Sequence, residues 1–149
     1  MTTALHLAGA GDLDRLMALS AACHGELGIA RSDEERRDGL APLLDGMPQG
    51  AIYLIGPARA PLGYIVLSFG WSLPLAGMEA RVEELFIRPP VRARGIATEV
   101  LGSLPRALGQ AGVKAIHLHL GPSWDRSRDL FARARFREEE STRVMTRKL

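Results

Sequence analysis

Cysteine is almost missing from this chain. Cys23 stands alone in 149 residues, which excludes an internal disulfide and any cysteine-built metal cluster. Long apolar runs are missing too: no stretch reaches membrane-spanning length, and the opening MTTALHLAGAGDLDRL has no basic start followed by an apolar core. A reducing, cytoplasmic setting with no membrane partner is the expectation. Neither sign of charge dominates, since Lys+Arg total 19 and Asp+Glu 17, for a net charge of +2. The arginines are scattered rather than blocked, and aromatics make up only 5%. A nucleic-acid binder needs a basic stripe with interleaved aromatic platforms, so that class is set aside. Lysine is scarce beside arginine while alanine and glycine abound, which reads as a GC-rich bacterial genome.

What is present is one domain, 1–149, long enough to bury a two-layer core. Residues 4–8 (ALHLA) read as a short strand. Asp12 is placed to cap a helix whose apolar stripe is Leu13, Leu16, Met17, Ala21 and Leu27, and Gly28 ends it. Cys23 lies on that helix among apolar residues, the setting of a buried, unreactive thiol. Ser32-Asp33-Glu34-Glu35 fits a capping box opening a second helix that runs toward Leu44. Three strands follow, near 51–56, 62–73 and 78–88, joined by Gly/Pro turns. A helix near 94–110 contains Pro105, which is expected to kink or divide it. A strand over 113–120, a helix over 124–135 with Leu130 and Phe131 inward, and a last strand over 136–147 complete the order β-α-α-β-β-β-α-β-α-β, a mixed α/β domain.

The densest information lies in FIRPPVRARGIATEVL, residues 86–101. Phe86-Ile87 end a strand and Pro89-Pro90 stop it, because proline has no N–H for a sheet ladder. Ile96, Val100 and Leu101 then recur at helical spacing. Between them Arg92-Ala93-Arg94-Gly95-Ile96-Ala97 places small residues at the mouth of a helix, where uncapped N–H groups and the helix dipole make an anion site.

That hexapeptide, set between a strand and a helix, resembles the pyrophosphate signature Arg/Gln-x-x-Gly-x-Gly/Ala of the GNAT (Gcn5-related) N-acetyltransferases. The element order resembles that family over essentially the full length. The resemblance implies the GNAT fold, a mostly antiparallel mixed sheet flanked by about four helices. It also implies acetyl transfer from acetyl-CoA to a primary amine of a small molecule or peptide, without a metal. Residues 92–97 with Thr98 would hold the coenzyme A diphosphate, and the main chain of Leu85, Phe86 and Ile87 would pair with the pantetheine arm like an added strand. Three positions depart from the family pattern. Ala93 replaces a frequent glycine, a change of small consequence if φ is negative there. Trp124 stands where the family often has asparagine, and Phe131 where it often has the tyrosine that returns a proton to the departing thiolate. Phe131 reads instead as a core aromatic, and its substitution motivates a second reading, a non-catalytic acyl-CoA-binding or regulatory domain.

Acetyl transfer to an amine requires a group that takes the ammonium proton. Glu83 and Glu84 supply carboxylates on the strand before the loop. Strand alternation would send them to opposite faces, so that only one looks into a given cleft. Glu83 lies nine residues before Arg92, the spacing of the first glutamate in polyamine-type acetyltransferases, and is the expected base. Glu84 is the expected substrate or structural contact. Equally, both could be salt-bridged strand positions; with Glu79, they could draw a cation toward the cleft. Trp71 could line the acceptor pocket, or serve as a packing anchor or homodimer contact. His117 and His119 share a strand face without a third ligand at motif spacing, so they read as polar residues on a covered face rather than a metal site.

Overall fold

The computed structural model describes residues 3–122 and 127–149. Its five strands are β1 (Leu5–Leu7), β2 (Gly50–Ile55), β3 (Gly63–Ser72), β4 (Gly77–Ile87) and β5 (Val113–Leu118). They lie side by side in chain order, β1 to β4 antiparallel and β5 parallel to β4. The helices are α1 (Leu13–Leu27), α2 (Asp33–Leu44), α3 (Ile96–Gln110) and the short α4 (Arg128–Arg133).

Alternation along the strands divides the core into two layers. On one face Ile52, Leu54, Tyr64 and Phe86 pack with Leu16 and Cys23 of α1 and Leu40 and Leu44 of α2. On the other, Ile55, Ile65, Leu67, Ala80 and Val82 pack with Val100, Leu104 and Leu108 of α3. α1 buries Leu16, Ser20 and Cys23; Ala21, expected on the inner stripe, is exposed. Asp12 precedes α1, but its side chain makes no cap bond to the helix and accepts from the Gly9 N–H at 2.9 Å; the end of α1 and the start of α2 follow their local chemistry. Gly28 ends α1 in the left-handed conformation at φ 68°. At α2, the Glu35 N–H donates to Ser32 Oγ at 3.1 Å, and the Ser32 N–H donates to Glu35 Oε2 at 2.8 Å. These bonds hold the Glu35 carboxyl below its usual range.

Two expectations differ from the structure. α3 is not divided at Pro105 and runs unbroken to Gln110. Pro105 lies on the exposed side, and burial of Val100, Leu101, Leu104 and Leu108 holds the helix on the sheet despite the missing N–H. The last strand is absent: residues 136–149 form no strand. The run from Arg137 to Arg143 has no alternating apolar residues to bury, and Val144 and Met145 are 64% and 97% exposed. Of the helix expected over 124–135, Arg128–Arg133 form α4, and 124–126 lie outside the described residues; α4 is followed by Arg135, left-handed at φ 70°, and by the Phe136 N–H on Phe131 O at 3.0 Å. Among the described residues no helix is long and apolar enough to cross a membrane.

Candidate active site

β4 carries the site because its regularity fails at one residue. Val66 pairs with Glu84 but Leu67 pairs with Val82, so Glu83 is an extra residue, a β-bulge. Before the bulge the even-numbered residues Ala80 and Val82 face α3; after it, Phe86 faces α1 and α2. The bulge thus overturns the premise that Glu83 and Glu84 look opposite ways. Glu83 accepts from Ser68 Oγ at 2.6 Å, Glu84 accepts from the Tyr64 hydroxyl at 2.7 Å, and both line one cleft.

That cleft, of about 860 Å³, is the wedge left where β4 and β5 part. β5 pairs with Met78–Val82, so from Glu83 onward this edge of β4 has no neighbouring strand among the described residues. The Arg88 N–H bonds Leu62 O at 2.8 Å on the β3 side. Alternation therefore turns the main-chain groups of Leu85 and Ile87 into the wedge, whereas those of Phe86 face β3. The Ile87 carbonyl is already taken by Arg92 Nε at 2.7 Å. The opposite wall is built by His119, Gly121, Leu130, Phe131 and Arg133.

At the foot of the wedge Pro89–Val91 make a 3₁₀ turn, Arg92 is extended, and the chain turns left-handed twice, at Ala93 (φ 60°) and Gly95 (φ 79°). The negative φ expected at Ala93 is not found, so this alanine occupies a conformation that favours glycine. α3 then begins at Ile96 with no side chain capping its first N–H groups, which leaves them for an anion. Arg92, Ala93, Gly95, Ile96, Ala97 and Thr98 line the cleft; Arg94 is not among its lining residues. The Arg92 guanidinium lies 5.5 Å from the Phe86 ring centre and donates to Glu26 Oε2 of α1 at 2.7 Å. It braces the loop against α1, and the anion-binding capacity of the turn rests on backbone N–H groups.

The carboxylates of the cleft differ in what balances them. Glu26 is paired with Arg92, and Glu83 Oε1 meets Arg81 at 2.6 Å. Glu84 meets no arginine among the described residues: its Oε1 accepts from Tyr64 and its Oε2 lies 2.9 Å from His24 Nε2. Cys23 sits beside this group, and burial pushes its thiol up to about 11, which leaves it protonated and inert at neutral pH. Burial, with the Glu84 charge second, pushes Tyr64 well above the ordinary phenol range, so its hydroxyl stays a donor.

The site is thus a strand wedge that opens onto a left-handed turn and a helix N-terminus whose N-cap makes no side-chain bond. The model of the acetyltransferase (GNAT) family matches residues 13–136, and the chain belongs to that family; it is an acyltransferase, and the family supports use of coenzyme A. An integron cassette protein from the mobile metagenome of Cole Harbour Salt Marsh is 26% identical, with 97% of this chain and 90% of that one covered and a TM-score of 0.83. A possible acetyltransferase of Clostridium difficile 630 is 12% identical over 100% of this chain and 99% of its own, with a TM-score of 0.86. The aminoglycoside N-acetyltransferase AAC(6')-Iy in complex with CoA is 15% identical over 98% and 94%, with a TM-score of 0.79. No curated protein matches the chain significantly.

The other sequence candidates lie as follows. Trp71 is 67% exposed, opposite Met78 near the far end of the β3–β4 ladder, and is not among the residues lining the cleft. His117 is exposed and lies 2.9 Å from Glu79 Oε2, and His119 is exposed at the cleft wall, so their strand face is not covered. Among the described residues no three His, Cys, Asp or Glu side chains gather as a metal set. Phe131 is buried and meets Phe136 edge-on at 6.2 Å; Trp124 lies outside the described residues. Sequence reasoning did not single out His24, Tyr64, Glu26 or Arg133. None belongs to a local motif, and Tyr64 sits in an apolar strand where it reads as one more core position.

Proposed function

We propose that this enzyme transfers the acetyl group of acetyl-CoA to a primary amine of a small molecule or peptide, in a cytoplasmic setting. The observation that carries this reading is the pair of same-face carboxylates, Glu83 and Glu84, at the wedge that leads down to the left-handed turn. The diphosphate would lie on the N–H groups of residues 92–98, and the pantetheine arm would pair with the main chain of Leu85 and Ile87. The ammonium proton would go to a β4 carboxylate. Resemblance names Glu83, whose Oε2 has no hydrogen-bond partner among the described residues. The bulge makes Glu84 its equal in access.

The test is thiol release from acetyl-CoA over a panel of primary amines. Turnover is expected with at least one of them. Coenzyme A binding without turnover on any amine favours the other reading, an acyl-CoA-binding or regulatory domain, for which the buried Phe131 in the place of the family's usual tyrosine speaks. A separate arm examines the turn. No atom lies within 4 Å of where a Cβ at Gly95 would stand, so Gly95→Glu directs a carboxylate into the open space reserved for the diphosphate. Calorimetry is expected to show coenzyme A binding lost, and an unchanged affinity refutes this placement.

A further inference from the structure

We propose that His24 is a positioning residue that acts through Glu84, and that Glu84, held by His24 and Tyr64, is the carboxylate that receives the acceptor ammonium and takes its proton. This rests on the acetyl-transfer reading and assigns the roles within it. Three glutamates line the cleft; Glu26 and Glu83 are each paired with an arginine, at 2.7 and 2.6 Å. Among the described residues Glu84 meets only the Tyr64 hydroxyl and the His24 ring, and no arginine. Of the three carboxylates, a cationic amine entering the wedge therefore finds at Glu84 the one that no described guanidinium pairs. A carboxylate already neutralised by a guanidinium is a poorer proton acceptor than one without such a partner.

The two nitrogens of His24 are unlike. Nε2 lies 2.9 Å from Glu84 Oε2, so a proton lies between them and Nε2–H donates to the carboxylate. Nδ1 is buried and has no hydrogen-bond partner among the described residues, so the polar contact of the ring is the one to Glu84. His24 thus donates to one carboxylate oxygen and Tyr64 to the other. Together they fix the carboxylate while leaving outward lone pairs for the amine. The groups around Glu84 are His24, Cys23 and Glu26 on α1, Tyr64 on β3, Glu83 and Arg81 on β4, and Arg92 of the loop. In the reaction R–NH₃⁺ gives one proton to Glu84, and the free amine attacks the thioester carbonyl carbon. The C–N bond forms and the C–S bond breaks. The second nitrogen proton goes to the departing thiolate, and Glu84 returns its proton to water.

The experiment compares wild type with Glu84→Gln, Glu83→Gln, His24→Leu, His24→Gln and Tyr64→Phe. Each is assayed for thiol release with acetyl-CoA and spermidine, an aminoglycoside or an alanyl peptide, across pH, alongside coenzyme A affinity and Tm. Glu84→Gln is expected to lower kcat/KM for the amine by roughly 10²–10⁴-fold with coenzyme A affinity unchanged, and Glu83→Gln by less than about tenfold. His24→Leu and Tyr64→Phe each remove a bond that favours the carboxylate anion, so the acidic limb of the pH–rate profile should move to higher pH. His24→Gln keeps an N–H donor near the Nε2 position and should restore the limb and most of the rate. If His24→Leu lowers Tm but leaves the limb where it was, the positioning role is overturned. If Glu83→Gln loses the rate and Glu84→Gln keeps it, the assignment of the base is overturned. Wild type that turns over no amine overturns the acetyl-transfer reading and this inference together, whereas an unmoved limb in an active enzyme overturns this inference alone.

Discussion

Ala93 is where a single residue works against its backbone. Its φ of 60° sets the turn on which the coenzyme A diphosphate is proposed to lie, and an L-residue there costs about 1–2 kcal/mol. Glycine relieves that cost but loses about 0.5–1 kcal/mol of chain entropy. Ala93→Gly is therefore expected to raise Tm by about 1–3 °C with coenzyme A affinity unchanged, read by thermal unfolding and calorimetry. Cys23 shows the opposite balance, a group whose setting keeps it neutral. Burial raises its thiol to about 11 from 9.0. The unfolded chain therefore releases this proton first as pH rises. The stability that comes from the neutral buried thiol is whole below about pH 9 and is lost as pH rises through 11. Tyr64 shifts in the same direction. Native protein at pH 8 should resist iodoacetamide at Cys23 by mass spectrometry, while the urea-unfolded chain is alkylated. Cys23→Ala should flatten the alkaline fall in stability.

At the scale of elements, the local rules of helix ends hold where side chain and backbone meet within a few residues. The capping box of α2 is legible as Ser32 followed by Glu35, and both of its bonds form. Ser32→Ala should lower Tm by roughly 2–4 °C at neutral pH. The Glu35 carboxyl is depressed in the folded state, so its share of the cap is present above the ordinary carboxylate titration and disappears as pH falls through the depressed value. The Tm difference between wild type and Glu35→Ala, which removes that carboxylate, should therefore narrow in acid, and an equal difference at pH 7 and pH 3 would count against the box. Strand β4 obeys a longer-range rule. Its extra residue is defined only against β3, through Val66↔Glu84 and Leu67↔Val82, and no spacing within 77–87 announces it.

Over the whole molecule, function follows from one strand that has a partner on both sides for half its length and on one side for the rest. β4 is held by β3 from Gly77 to Ile87 and by β5 only from Met78 to Val82. Gly63 tightens the closed side: a Cβ there would overlap the Phe86 carbonyl oxygen, so only glycine allows β3 to lie so close. The chain after Phe136 contributes little to this frame, since residues 137–149 are exposed. The ion pair of Glu138 with Arg128, 2.8 Å long, is itself at the surface. A chain ending at Glu139 should keep its Tm within about 2 °C and bind coenzyme A as the full chain does; a collapse of the fold on truncation would give the segment a role that its exposure does not show.

The helices α1 to α3, the five strands of the sheet, the place of the 92–97 turn and the α/β class were legible in the sequence alone, because each rests on contacts among near neighbours. Proline stops a strand, Ser32 and Glu35 cap a helix, and apolar residues at fixed periods choose a face. Tertiary structure alone decided which glutamate meets what. His24 and Glu84 are 60 residues apart in the chain, and Tyr64 is 20 from Glu84. Their meeting required the bulge at Glu83 to turn Glu84 to the α1 face. The left-handed turn at Ala93 and the unbroken α3 at Pro105 were decided in the same way. In α3, packing of Val100, Leu104 and Leu108 on the sheet outweighed a local preference of about 3 kcal/mol at Pro105, and a preference of that size is the most that the neighbouring residues can express.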